Sequence, residues 1–185
     1  MITKQPQDFG AGTYDAEGQA LVIISEPHAM NHRGKAFHTT HKFTGVADAA
    51  SVEILIKVGV DELHMNRFAV SVGSGDIDIF LFEGTTVSGD GTSLGEVCTN
   101  REAAATAITT FFHTPTVTGD GTQIAQHWIP PTGTGIGNSL TGVAGAENGE
   151  EWELDASTNY LHRITNNSGS TIDIFVEYLW YETDV

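Results

Sequence analysis

Val52-Glu53-Ile54-Leu55-Ile56-Lys57-Val58 is the stretch that decides the fold. In an extended chain successive side chains point to opposite faces, so Val52, Ile54, Ile56 and Val58 share one apolar face. Phe68, Val70 and Val72 alternate in the same way. Ala20–Ser25 and Ala36–Thr44 precede these runs, and Ile77–Phe82, Ala107–Phe112, Tyr160–Thr165 and Ile172–Tyr181 follow. Glycine turns punctuate them: Gly73-Ser74-Gly75, Gly89-Asp90-Gly91, Gly119-Asp120-Gly121 and Ser168-Gly169-Ser170. Short strands between regular turn signals predict an all-β fold, a single antiparallel β-sandwich. About eight strands suit a jelly roll better than an immunoglobulin-like sandwich, which needs only about 100 residues.

The rest of the chain is organised around that domain. Residues 1–19, with Pro6, Gly10, Gly12 and Gly18 and no apolar period, predict an extended N-terminal arm leading into a domain over 20–185. The glycine-rich stretch Pro130–Gly149 predicts a long loop. Asn100–Thr106 is the one helical expectation, a turn or two at most. Thr86-Val87-Ser88-Gly89-Asp90-Gly91-Thr92 recurs as Thr116-Val117-Thr118-Gly119-Asp120-Gly121-Thr122. Because Asp-Gly favours hairpin turns, the echo predicts two equivalent strand–turn hairpins, suited to a sandwich of two related sheets. Asp76-Ile77-Asp78-Ile79-Phe80 and Thr171-Ile172-Asp173-Ile174-Phe175 form a second, looser echo.

Charge excludes several partners. The 185 residues carry 8 Lys and Arg against 24 Asp and Glu, a net charge of -16, yet only 17% are charged. An average soluble chain has about 25%. The imbalance is a shortage of cations, and Arg163 is the only basic residue after Arg101. Nucleic-acid binding rests on Lys and Arg neutralising phosphates, and anionic membranes attract the same residues, so neither partner is expected. The start, MITKQPQDFGAG, lacks the apolar core of a signal peptide, and no run approaches the roughly 20 apolar residues of a membrane helix. A soluble chain synthesised in a cytoplasm is the expectation. Cys98 is the one cysteine, so no intrachain disulfide or thiolate metal cluster can form.

Candidate chemistry is sparse. His28, His32, His38 and His41 cluster in sequence, and imidazoles are common metal ligands. Pro27 and Asn31–Gly34 predict a loop around the first pair, while His38 and His41, three apart in a strand, point to opposite faces. Asp90 and Asp120 sit in glycine turns that could offer oxygens to calcium, without the closely spaced acids of an EF-hand loop. Asp76 and Asp78 share a strand face. Trp128, Trp152, Trp180 and Tyr181 could stack on sugars, although Trp152 and Trp180 read more simply as core or interface. No nucleophile elbow, P-loop or dinucleotide turn occurs. The sequence therefore assigns no catalytic, cofactor-binding or metal-ligating residue and predicts no enzyme. It leaves open whether the Asp90 and Asp120 turns, or His28 with His32, bind a divalent ion.

A series of phrases then carries a resemblance. They are Glu26-Pro27-His28-Ala29-Met30-Asn31-His32-Arg33-Gly34 leading to Phe37, Ile54-Leu55-Ile56-Lys57, Phe82-Glu83-Gly84-Thr85 and Asn100-Arg101. His113-Thr114-Pro115 through Thr122, Glu151-Trp152-Glu153-Leu154, Ser157 through Asn167 and Trp180-Tyr181-Glu182 complete the series. In this order the chain resembles, over roughly residues 20–183, a family of small virion structural proteins encoded by tailed bacteriophages and prophages. Similar proteins often carry adjacent histidines where this chain has His28-Ala29, and a basic residue where Glu153 or Asp155 stands. The resemblance implies an oligomeric β-sandwich virion component without catalysis. The leading expectation is a capsid decoration or cement protein on the outer capsid surface, a homotrimer bound to the major capsid protein, with 1–19 and Pro130–Gly149 as its contacts. The alternative is a tail or head-fibre module that binds a host receptor or glycan.

Overall fold

The computed structural model describes residues 25–72, 75–102, 105–131, 140–145 and 151–183. The expected arm 1–19 and all of Ala20–Ser25 except Ser25 lie outside these residues. A short helix, α1 (Glu26–His32), opens the described chain. β1 (Ala36–Val46), β2 (Ser51–Lys57), β3 (Glu62–Val72), β4 (Ile77–Glu83), β5 (Thr86–Gly89), β6 (Thr92–Ser93) and β7 (Val97–Cys98) follow. The second half holds β8 (Thr110–His113), β9 (Thr116–Gly119), β10 (Thr122–Ile129), β11 (Leu140–Gly145), β12 (Trp152–Leu154), β13 (Asn159–Asn166) and β14 (Ile172–Thr183).

The first sheet runs β11-β3-β14-β1-β7, with β12 also paired to β3; the second runs β10-β4-β13-β2-β8-β6. From β1 to β4 the chain changes sheet at every step. β13 then inserts between β2 and β4, and β14 between β1 and β3. With β10 and β11 beside β4 and β3, these eight strands wind as the jelly roll that the strand number suggested, although β10 and β11 were not among the runs expected. The apolar face legible at 52–58 lies in the core, where Ile54 and Ile56 meet Val70, Ile174, Val176 and Trp180. Aromatic rings fill the centre: Trp180 lies 4.6 Å from Phe111, and Tyr178 lies 5.0 Å from Phe68.

Three local expectations are corrected. The Pro27 segment is helical, because Pro lies at the first turn, where its missing N–H costs nothing. Within the stretch expected as a loop over 130–149, residues 140–145 form β11, which pairs with β3 from Leu140↔Val72 to Gly145↔Arg67, while 132–139 and 146–149 lie outside the described residues. Asn100–Thr106 has no helix among its described residues. Asn100 instead closes the end of α1, its side-chain N–H groups donating to the Asn31 and His32 carbonyls at 3.1 and 3.3 Å.

The repeated Gly-Asp-Gly phrases also depart from expectation. Neither copy forms a hairpin, and both serve the same sheet. β5 pairs with β9 as a separate ribbon, while β6 pairs with β8 and β10 with β4. The registers obey a local two-fold relation: Leu55↔Phe112 mirrors Leu161↔Phe82, Thr92↔His113 mirrors Thr122↔Glu83, and Val87↔Val117 maps onto itself. Each copy thus ends in a strand that pairs beside the strand leading into the other copy. Gly91 and Gly121 permit this, with φ of +94° and +88° and a carbonyl, His113 O or Glu83 O, where a side chain would begin.

Candidate functional site

Polar side chains gather on the outward faces of both sheets. On the second sheet, Lys57 of β2 and Arg163 of β13 occupy positions exchanged by the local two-fold. Lys57 Nζ donates to Asp90 Oδ2 at 2.7 Å. Arg163 donates to both Asp120 oxygens at 2.7 Å each, and to Glu53 Oε1 at 2.7 Å. The Arg163 hydrogen bonds hold the Asp120 carboxyl below its ordinary range. The turns that sequence offered to calcium therefore present carboxylates already neutralised by the protein's own cations, and they pin the β5–β9 ribbon over this face. An open groove under β9, lined by Glu53, Thr116, Thr118, Asp120 and Arg163, borders the clasp.

A different constellation stands on the first sheet. In β3, Leu63 and Met65 enter the core, which turns Glu62 and His64 to the outside. β12 pairs antiparallel with β3 so that Glu153 lies directly opposite His64. On the other side β14 sets Tyr181 opposite His64 and Thr183 opposite Glu62. One donor atom from each of Glu62, His64 and Glu153 lies within 4.8 Å of the other two. The imidazole stacks flat on Tyr181, with centroids 4.6 Å apart and planes 6° from parallel. Its Nε2 is 3.2 Å from Thr183 Oγ1, and its Nδ1 is 3.5 Å from Glu151 Oε1. Sequence reasoning passed over this trio. Glu62-x-His64 is a same-face pair in any strand, but only the β3–β12 register adds Glu153.

The other singled-out residues separate. His28 and His32 share one face of α1, their Nε2 atoms 2.8 Å apart, which corrects the loop expectation. His41 stacks on His113 at 4.2 Å, and burial followed by repulsion from His113 lowers its pKa. His162 is enclosed in the core against Phe68 at 4.1 Å, and burial pushes its pKa down to about 3. It lines a cavity of about 20 Å³ with Met65, Leu81, Trp152 and Leu154, room for one water. Cys98 is buried, its Sγ 3.4 Å from the Gly34 carbonyl. Trp180 and Tyr181 are buried and Trp152 is half-buried, whereas Trp128 is 59% exposed. The Trp128 indole donates to Asp76 Oδ1 at 2.6 Å, and Asp78 accepts from Asn167 at 2.8 Å.

No protein-family model matches this chain, and comparison with curated proteins finds no relative.

Proposed function

We propose that the chain is a bacteriophage virion structural protein, a decoration protein that binds the outer surface of the major capsid lattice and stabilises the head. One observation carries the reading. Four of the resembling phrases, far apart in sequence, meet at a single device. Ile54–Lys57, Phe82–Thr85, His113–Thr122 and Ser157–Asn167 supply the paired strands, the Gly-Asp-Gly turn and Arg163 of the clasped face. What those phrases share is thus the construction of a rigid wall, the business of a scaffold. Two of the few cations are committed to that wall, so the surface offered to a partner is acidic and suits a basic patch on a shell, a contact that salt weakens. A trimer joining neighbouring capsid subunits would turn weak contacts into avidity. Electron microscopy of particles with and without the protein tests this. Added density on the head lattice is expected; its consistent absence overturns the reading.

A second reading, a tail or head-fibre module for a receptor or glycan, has its own support in Trp128, an exposed ring beside the Asp76 carboxylate. Glycan arrays and cell-adsorption assays separate the two, because a decoration protein binds neither.

A further inference from the structure

We infer that Glu62, His64 and Glu153 form a binding site for a first-row divalent cation, of the Zn²⁺ class, on the outward face of the first sheet. The placement follows from register alone. Two ligands two residues apart on β3 share a face, and the third stands across the β3–β12 ladder from His64. Their donor atoms already lie within 4.8 Å of one another. A Zn²⁺ ion held at about 2.0–2.2 Å from each needs donors about 3–3.5 Å apart. Rotation about the outer torsions of the two glutamates supplies that difference.

The chemistry selects the cation. One imidazole nitrogen with two carboxylate oxygens suits zinc or a neighbouring transition metal; calcium prefers six to eight oxygens. Three protein ligands leave at least one position for water or a ligand from a neighbouring molecule. The ring is also fixed in place, flat against Tyr181 with its Nε2 in reach of the Thr183 hydroxyl. The Glu151 carboxylate, 3.5 Å from His64 Nδ1, adds negative charge beside the trio. Among the described residues no Lys or Arg pairs with Glu62 or Glu153, in contrast to the neutralised Asp90 and Asp120. The site stands independently of any place on a capsid.

Calorimetric titration of the full chain with ZnCl₂ tests the assignment, beside Glu62→Gln, Glu153→Gln, His64→Ala and a His28→Ala/His32→Ala double variant. The double variant removes the competing helical pair. One Zn²⁺ per chain is expected in the parent and in the double variant, with dissociation constants within threefold. Each change at 62, 64 or 153 should weaken binding at least tenfold. Because His64→Ala disturbs the packing on Tyr181, the two Glu→Gln variants, whose circular dichroism should match the parent, carry the decision. Absence of binding in the parent overturns the site, as does undiminished binding in both Gln variants or loss of binding in the double variant.

Discussion

Leu55 and Leu161 face each other across β2 and β13, each 0% exposed although both point away from the sandwich core. An outward position in a jelly roll is ordinarily wet. Here the turns that follow β5 and β9 are tied to the same face by Lys57–Asp90 and Arg163–Asp120, and this pair marks the local two-fold. Phe112 and Phe82 flank the leucines on either side, with Lys57 and Arg163 5.9 and 5.2 Å from those ring centroids.

The two cations should not be equally important. Arg163 serves Asp120 and Glu53 together and is mostly covered, whereas Lys57 and Asp90 are each more than a third exposed. Arg163→Ala leaves the half-buried Glu53 without its cation, while Asp120, 43% exposed, is hydrated; it should cost about 1–2 kcal/mol, against less than about 1 kcal/mol for Lys57→Ala. Urea denaturation of both variants measures the difference; equal losses would contradict the asymmetry.

Gly121→Ala should be among the most damaging small changes. Its added carbon would sit 2.1 Å from Glu83 O at a φ of +88°, so strand β4 or the turn must shift. A loss of about 2 kcal/mol or more is expected. Gly84→Ala, at φ +73° with open space around it, carries only the backbone strain, about 1 kcal/mol. Thermal or urea unfolding that ranks the two the other way would refute the reciprocal packing.

Acid should weaken the fold from near pH 6.5 downward. His162, pushed down to about 3, stays neutral in the folded core while the unfolded chain takes up its proton near 6.5. The unfolded state therefore binds more protons between those values, and stability falls as pH drops through that window, by at most about 1.4 kcal/mol per pH unit. Asp120, held low by Arg163, adds a loss of the same sign only below its ordinary value of 3.8. Stability measured at pH 7, 5.5 and 4.5 should decline in the parent and decline less in His162→Phe. An unchanged slope in that variant would assign the loss elsewhere.

Glu182 is a buried carboxylate, 4% exposed, that accepts from the Thr109 amide at 2.8 Å and the Ile108 amide at 3.1 Å. Glu182→Ala should cost about 2 kcal/mol by leaving those donors without a partner. It should also speed hydrogen exchange at Thr109. Loss of stability without faster exchange there would mean the carboxylate acts through packing instead.

Six of the eight winding strands, β1 to β4, β13 and β14, were legible because β-branched and aromatic residues run or alternate between strong turn signals; β10 and β11, polar or glycine-rich, carry no such signal. Phe68, Val70 and Val72 are buried as their period demands. The partner of each Gly-Asp-Gly arm was not legible. A local hairpin and an exchange between distant arms use the same turn residues, and only the pairing of β2 with β13 brings the arms together. Pro27 misled for a simpler reason: it stops a helix from within and starts one from its first turn. The Glu62–His64 pair could be read from spacing, while Glu153 waits on a register that no local pattern encodes.

The exchanged arms also govern how this face can come apart. Since β5 and β9 form a two-stranded ribbon with no other strand, releasing one removes the other's partner. The ribbon then has no half-open resting state, and the face opens as one cooperative unit or stays shut. Two short repeats, each marginal alone, thereby behave as a latch with a single threshold.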